Sequence, residues 1–218
     1  VNAATITMDG LTTPENPARF ASIARARRVE VVSDDEDAQL MLAYARGEMR
    51  AFETLYARHR GALYRYLTRQ ARDGEIANDL FQEVWSRVIV NRARYEPRAK
   101  FRTFLFTLAH NCFIDHCRRT KARPAGMGLE DADAADLLPA CEESQPDSLL
   151  ARDETSRRYR AALATLPAEQ RDVYLLHEES DLSLEEIARV TGVGAETAKS
   201  RLRYAVGKLK AALAVTEA

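Results

Sequence analysis

Apolar positions recur along this chain at alternating spacings of three and four, the period of helices that bury one face. The clearest case runs from Ser183 to Leu213. Ser183, with Glu186 three residues on, forms a capping box that opens a short helix near Leu184 and buries Leu184, Ile187 and Ala188. Gly192, free to take a positive φ, ends that helix, and Val193 fills the corner. Ala195, Ala198, Leu202, Ala205 and Leu209 then place one buried stripe on a second helix, and Glu196, Lys199, Ser200 and Arg203 fall on the opposite face. The pattern is that of a helix-turn-helix whose second helix offers side chains suited to base edges and phosphates. An ordinary helical hairpin with a solvated face shares each cue singly; cap, corner and stripe in one register favour DNA binding.

The same period runs upstream. Ser33 to Glu36 repeats the capping pattern and opens a helix with Leu40, Met41, Leu42 and Tyr44 that stops at Gly47. A longer helix, about Met49 to Arg72, buries Phe52, Leu55, Tyr56, Leu63 and Leu67 and leaves Arg58, Arg60, Arg65 and Arg69 outside, with Asp73-Gly74 ending it. The next, about Glu75 to Val90, buries Ile76, Leu80, Phe81, Val84, Trp85, Val88 and Ile89. Phe101 to Lys121 turns Phe101, Phe104, Leu105, Leu108 and Cys112 inward and Arg102, Thr103, Thr107, Asn111 and Arg118 outward. Residues 1–33 show no sustained period and read as a mobile extension; residues 124–148 have the Pro, Gly, Ala and Asp content of a linker. The pattern therefore predicts an all-α fold: two small helical domains, 34–123 and 149–218, joined by a flexible acidic linker, the second containing the helix-turn-helix.

Charge sharpens this picture because it is segregated. The net charge is −1, yet Met49 to Arg123 carries 16 Arg and Lys against 7 Asp and Glu, a balance of +9, whereas Ala125 to Ser156 carries one Arg against nine acids, a balance of −8. A basic block followed by an acidic one suggests a nucleic-acid surface joined to a segment that behaves like a polyanion. Within the basic block, Asp79, Gln82, Glu83 and Ser86 form an acidic and amide stripe that DNA would repel, which suits a protein partner with basic side chains. The loop Asn91 to Lys100, with Arg92, Arg94, Tyr95, Arg98 and Lys100, mixes cations with an aromatic ring, as a surface that holds phosphates and stacks an unpaired base would.

Other chemistry is thinly represented. Cys112 and His116 lie four apart on one helix, as metal ligands can, but Cys112 belongs to the apolar stripe and no second ligand pair follows, so no metal site is expected. No Gly-rich phosphate loop and no nucleophile, base and orienter set appears, so no catalytic residue and no cofactor is expected. Three cysteines without a disulfide framework, no apolar secretory segment and no run near 18 apolar residues suggest a cytoplasmic chain without membrane insertion.

Four motifs carry a family resemblance: Asp79-Leu80-Phe81-Gln82-Glu83, Phe101-Arg102-Thr103-Phe104-Leu105, Leu166-Pro167-Ala168-Glu169-Gln170-Arg171 and Thr197-Ala198-Lys199-Ser200-Arg201-Leu202. In that order and spacing the chain resembles a bacterial extracytoplasmic-function (ECF) sigma factor of the sigma-70 family, from about Asp34 to Leu213. The resemblance implies an initiation factor, not an enzyme, that binds core RNA polymerase, finds promoters and helps to open the duplex. It implies that Asp79, Gln82, Glu83 and Ser86 dock on the clamp helices of the polymerase beta-prime subunit. Arg94, Tyr95, Lys100, Phe101, Thr103, Asn111, Arg118 and Arg119 would meet the −10 element, where a flipped base offers a face and an edge. Glu196, Lys199, Ser200, Arg201 and Arg203 would meet the −35 element. An anti-sigma factor or other regulator is a further implied partner. Two departures stand out: Ala198 where a β-branched residue is usual, and Phe104 where the family often has Trp. The alternative is a stand-alone helix-turn-helix regulator with an N-terminal sensing or dimerisation domain, which would bind a palindromic operator without polymerase.

Overall fold

Capping chemistry sets where the helices begin and end in the computed structural model, which describes residues 35–122 and 146–214. Among these residues the chain forms α1 (Glu36–Ala45), α2 (Met49–Ala71), α3 (Gly74–Val90), a 3-10 turn (Arg92–Arg94), α4 (Phe101–Ala122), α5 (Pro146–Thr165), α6 (Ala168–Ser180), α7 (Leu184–Thr191) and α8 (Ala195–Ala214). Asp35 caps α1 by accepting from the Asp37 N–H, and Asp73 caps α3 by accepting from Glu75 and Ile76. The cap of α1 thus falls two residues later than the Ser33 pattern suggested; Ser33, the 1–33 extension and most of the 124–148 linker lie outside the described residues. Arg72, at φ 64°, ends α2 in the left-handed region without a glycine, its N–H returning to the Thr68 carbonyl.

The Ser183 box forms in full: the Ser183 hydroxyl accepts from the Glu186 N–H at 3.3 Å, and Glu186 Oε2 accepts from the Ser183 N–H at 2.9 Å. Gly192 closes α7 at φ 70°, and the Val193 N–H bonds the Ala188 carbonyl. Ser183→Ala is expected to lower the stability of this hairpin by about 1 kcal/mol, read as a shift in the urea midpoint. An unchanged midpoint would show that tertiary packing alone holds the corner.

Helices α1–α4 form a first bundle around Leu55, Leu63, Leu67, Leu80, Val84, Leu105 and Phe106, with Phe52, Tyr56, Phe81 and Trp85 stacking on its flank at centroid distances of 5.0–6.4 Å. Helices α5–α8 form a second around Leu163, Val173, Leu176, Ile187, Ala198, Ala205 and Leu209. The two bundles pack on each other through α2 and α4 on one side and α6 and α7 on the other. That contact changes two local expectations. Thr103, expected outward, is buried beneath α7, whereas Ala195, expected in the buried stripe, is exposed at the start of α8.

Candidate nucleic-acid and polymerase-docking surfaces

The acidic stripe of α3 follows from helical geometry: residues 79, 82 and 86 share the face turned away from Leu80, Val84 and Trp85. Asp79, Gln82 and Ser86 are exposed, and among the described residues Asp79 makes no ion pair. Glu83 differs. It is half-buried, held by Arg87 one turn on and by Arg119 of α4 at 3.6 Å. At the end of the same stripe Val90 is 77% exposed, an apolar side chain outside the set expected to be buried on this helix.

The group expected to meet the −10 element divides in two. Arg94, Lys100, Arg118 and Arg119 are exposed and present four cations along the loop and α4; Asn111 is half-buried. Tyr95, Phe101 and Thr103 are buried. Tyr95 packs edge-on against Phe104 at 5.2 Å and Phe101 at 6.3 Å, so its ring serves as a hinge pin of the loop and offers no open face for stacking. Burial, with Asp35 and Asp37 nearby, raises the Tyr95 hydroxyl above its ordinary value. Phe101 lies at the start of α4, its N–H donating to Asp35 Oδ2 at 2.6 Å and its ring 5.3 Å from His59. His59 is itself buried, 2.7 Å from Asp37 Oδ2; burial lowers its pKa against the pull of that carboxylate.

Thr103 is covered by the second bundle, which brings four carboxylates to the basic first bundle. Asp172 accepts from the Tyr66 hydroxyl at 2.7 Å and from Gln70 Nε2 at 2.9 Å, both on Oδ1. Its Oδ2 lies 2.9 Å from His110 Nδ1, close enough for an ion pair when the imidazole is protonated but not aligned as a hydrogen bond. Glu179 sits between Arg65, at 2.7 Å, and Arg69. Asp181 meets Arg102 at 3.1 Å. Glu186, already committed to the Ser183 cap, accepts from the Thr103 hydroxyl at 3.2 Å and faces Lys100 Nζ at 3.4 Å. Burial pushes the Glu186 carboxyl upward, but the Ser183 N–H and hydroxyl and the Lys100 ammonium outweigh it and hold the group below its ordinary value. Its stabilising contribution is therefore present above the unfolded value of 4.5 and is lost as pH falls through the lower folded one. Two groups expected to touch DNA, Lys100 and Thr103, thus face a carboxylate of the chain's own helix-turn-helix.

The free face of α8 carries Glu196, Thr197, Lys199, Arg203, Tyr204 and Lys208, with Ser200 half-buried at its edge. Arg201 departs from it: its guanidinium is turned to Glu169 at the start of α6, so it braces the second bundle. Tyr204 was missed by periodicity because it adjoins the buried Ala205; it is 55% exposed, and the Arg203 guanidinium lies over its ring, 5.1 Å from the centroid. The signal that would have found it is an aromatic residue next to a cation on a helix face that otherwise carries only polar groups.

Comparison with known proteins places these surfaces in context. Residues 55–123 match the family model "Sigma-70 region 2", and residues 156–209 match "Sigma-70, region 4". RNA polymerase sigma factor CarQ of Myxococcus xanthus is 32% identical over 171 residues, covering 78% of this chain and 94% of that protein. ECF RNA polymerase sigma factor SigM of Mycobacterium tuberculosis is 29% identical over 173 residues, covering 79% and 82%. Among solved structures, CnrH in complex with the cytosolic domain of CnrY superposes with a TM-score of 0.60 at 25% identity, over 83% of this chain and 99% of that one. The sigma factor RpoE of Bartonella quintana, in complex with the anti-sigma factor NepR, also gives 0.60, at 22% identity over 75% and 97%, a likeness of fold.

Proposed function

The chain belongs to the sigma-70 family as an extracytoplasmic-function sigma factor, and on that premise we propose how its surfaces share the work of promoter-directed initiation. It binds core RNA polymerase and directs transcription from promoters, with promoter DNA and an anti-sigma factor or comparable regulator as its other partners. It acts in the cytoplasm as an initiation factor with no catalytic step of its own; no helix among the described residues is long and apolar enough to cross a membrane. Residues 34–123 act as the core-binding and −10 domain and 149–218 as the −35 domain, with the acidic 124–148 segment between them.

Asp79, Gln82 and Ser86 dock on the clamp helices of the polymerase beta-prime subunit, with Glu83 held ready by Arg87 and Arg119. Arg94, Lys100, Arg118 and Arg119 hold −10 phosphates, and Asn111 and Thr103 read a base once α7 has moved off the start of α4. Tyr95 and Phe101 shape the loop from beneath. Lys199, Ser200 and Arg203, with Glu196 at the helix start, read the −35 element, and Tyr204 holds the Arg203 guanidinium in place. The observation that carries this reading is the pairing of an exposed acidic stripe on α3 with an exposed cationic face on α8, in the order of the two matched regions. Run-off transcription from a cognate promoter, with core polymerase plus or minus the chain, is the test: no promoter-specific product would end it.

Arg203→Ala is expected to weaken promoter-fragment binding by the holoenzyme by about 1–3 kcal/mol and to relax preference at one −35 position. Equal loss on every sequence would reassign Arg203 to a phosphate. Tyr204→Leu should reproduce part of that loss, because it removes the ring beneath the guanidinium and leaves the charge in place.

A further inference from the structure

The two bundles leave between them an open cleft of about 480 Å³, lined by the ends of α2 and α4 and the start of α6. That volume lies within the range of about 300–1,000 Å³ that small-molecule sites occupy. Its charge is out of balance. Arg171 is 8% exposed, and its Nε donates to Gln70 Oε1 at 3.1 Å; no carboxylate among the described residues lies within ion-pair distance of it. Asp172, its neighbour in sequence, acts on it only through space, with Oδ1 accepting from Tyr66 and Gln70 and Oδ2 lying beside His110. A buried cation with no carboxylate paired to it is a costly arrangement, and here a second cation lies beside it. Arg72 lines the same cleft, its Nη2 donating to the Ala164 carbonyl at 2.7 Å. Burial and the Arg72 charge lower the Arg171 pKa, against the pull of Asp172.

Three further features point the same way. Ala168 lines the cleft at the first turn of α6, a helix whose Pro167 cap supplies no side-chain acceptor, so the positive end of the helix dipole lies beside the space. His116 and Thr120, one turn apart on α4, add a ring nitrogen and a hydroxyl. The opposite wall, Ile76, Phe113 and Leu166, is apolar, with Phe113 and Leu166 almost wholly buried. A bare inorganic ion would use the cations and leave that wall wet.

We propose that this cleft binds a small organic oxyanion with an aromatic or apolar body, a carboxylate or phosphate monoester whose charged end meets Arg171 and Arg72 and whose body lies on Phe113, Ile76 and Leu166. The guanidinium of Arg171 keeps its Gln70 bond through Nε and turns its two Nη groups to the anion, a geometry that suits bidentate pairing. Because the walls come from both bundles, the occupied cleft favours their packed arrangement over any in which they separate. On the functional reading above, which this last point alone rests on, the ligand would hold the chain in the state that covers Thr103.

Phenyl phosphate is the probe, titrated calorimetrically into the full chain, with inorganic phosphate as its comparison. The expected result is saturable one-to-one binding, at least roughly tenfold tighter for phenyl phosphate than for inorganic phosphate. Arg72→Gln, at an exposed position where it also removes the bond to the Ala164 carbonyl, should weaken it by roughly tenfold with the helical circular dichroism unchanged, and Arg171→Lys should keep the fold while losing the bidentate contact. Arg158→Gln, an exposed α5 change remote from the cleft, should leave binding unaltered. No saturable binding, equal affinity for inorganic phosphate, or indifference to Arg72→Gln would each overturn the proposal. One more variant separates a free ligand from the chain's own acids: with Glu130, Asp131, Asp133, Asp136, Glu142 and Glu143 changed to their amides, unchanged phenyl phosphate affinity supports a free ligand. A marked gain in affinity would show that the connector's carboxylates compete for the cations, and would overturn the small-molecule form. None of these outcomes depends on transcription, so failure here leaves the initiation-factor reading untouched.

Discussion

Asp79→Arg is expected to weaken binding to core RNA polymerase by at least roughly a hundredfold, about 3 kcal/mol, because it sets a cation against a partner surface selected here as basic. The fold should not notice. Asp79 is exposed on α3, makes no ion pair among the described residues, and lies on the face opposite Leu80 and Val84. Its loss of function would therefore report the interface itself. The same reversal at Glu83 is a poorer test, since it also breaks the contact to Arg87 within α3 and the contact to Arg119 that ties α3 to α4. Fluorescence titration of labelled protein with core polymerase checks the expectation, with circular dichroism to confirm the helices. Affinity within twofold of the native chain would remove the acidic stripe from the docking surface.

The second large effect is expected at Asp172, the point where the two bundles are most tightly joined. Asp172→Ala leaves the Tyr66 hydroxyl and the Gln70 amide without their acceptor, each inside a packed interface. An unmet buried donor costs about 1–3 kcal/mol, and separation of the bundles relieves it by letting water reach both groups. The expected outcome is a shift of roughly thirtyfold or more toward separated bundles, seen as a longer distance between fluorophores on α4 and α8. Promoter-fragment binding without polymerase should rise in step, because separation uncovers Thr103 and frees Lys100 from Glu186. Glu179→Gln, which removes the charge between Arg65 and Arg69, should move both readouts the same way by a smaller amount. Both variants with native distance and native DNA affinity would show that the carboxylates do not hold the bundles together.

The contrast between Glu186 and Asp79 shows why some of the site was legible and some was not. Asp79, Gln82 and Ser86 stand out because they interrupt a basic segment on one helix face, a pattern that needs no knowledge of the fold. Glu186 was legible only as a cap. Its second role, facing Thr103 and Lys100, joins residues more than eighty positions apart, and nothing near Ser183 in the chain announces it. Arg201 gives the same lesson in reverse: it shares the basic run of α8 with Lys199 and Arg203, yet Glu169 takes it out of the DNA-facing set. Tyr95 and Phe101 carry the composition of a base-stacking loop and the burial of a core.

What the amino-acid sequence determined by itself is everything that depends on near neighbours. The Ser183–Glu186 box, the Gly192 corner, the three-and-four spacing of Ala198, Leu202, Ala205 and Leu209, and the separation of basic from acidic stretches all act within a few residues, so they are written in order along the chain. The tertiary structure alone decided the fate of the polar faces. Thr103, expected to face solvent, is buried against Glu186 of the other bundle, and across the same contact Asp172 meets Tyr66 and Gln70 while Glu179 meets Arg65 and Arg69. Apolar burial leaves a period in the sequence since water penalises every exposed apolar side chain alike, whereas a buried hydrogen bond depends on one distant partner and leaves no local trace.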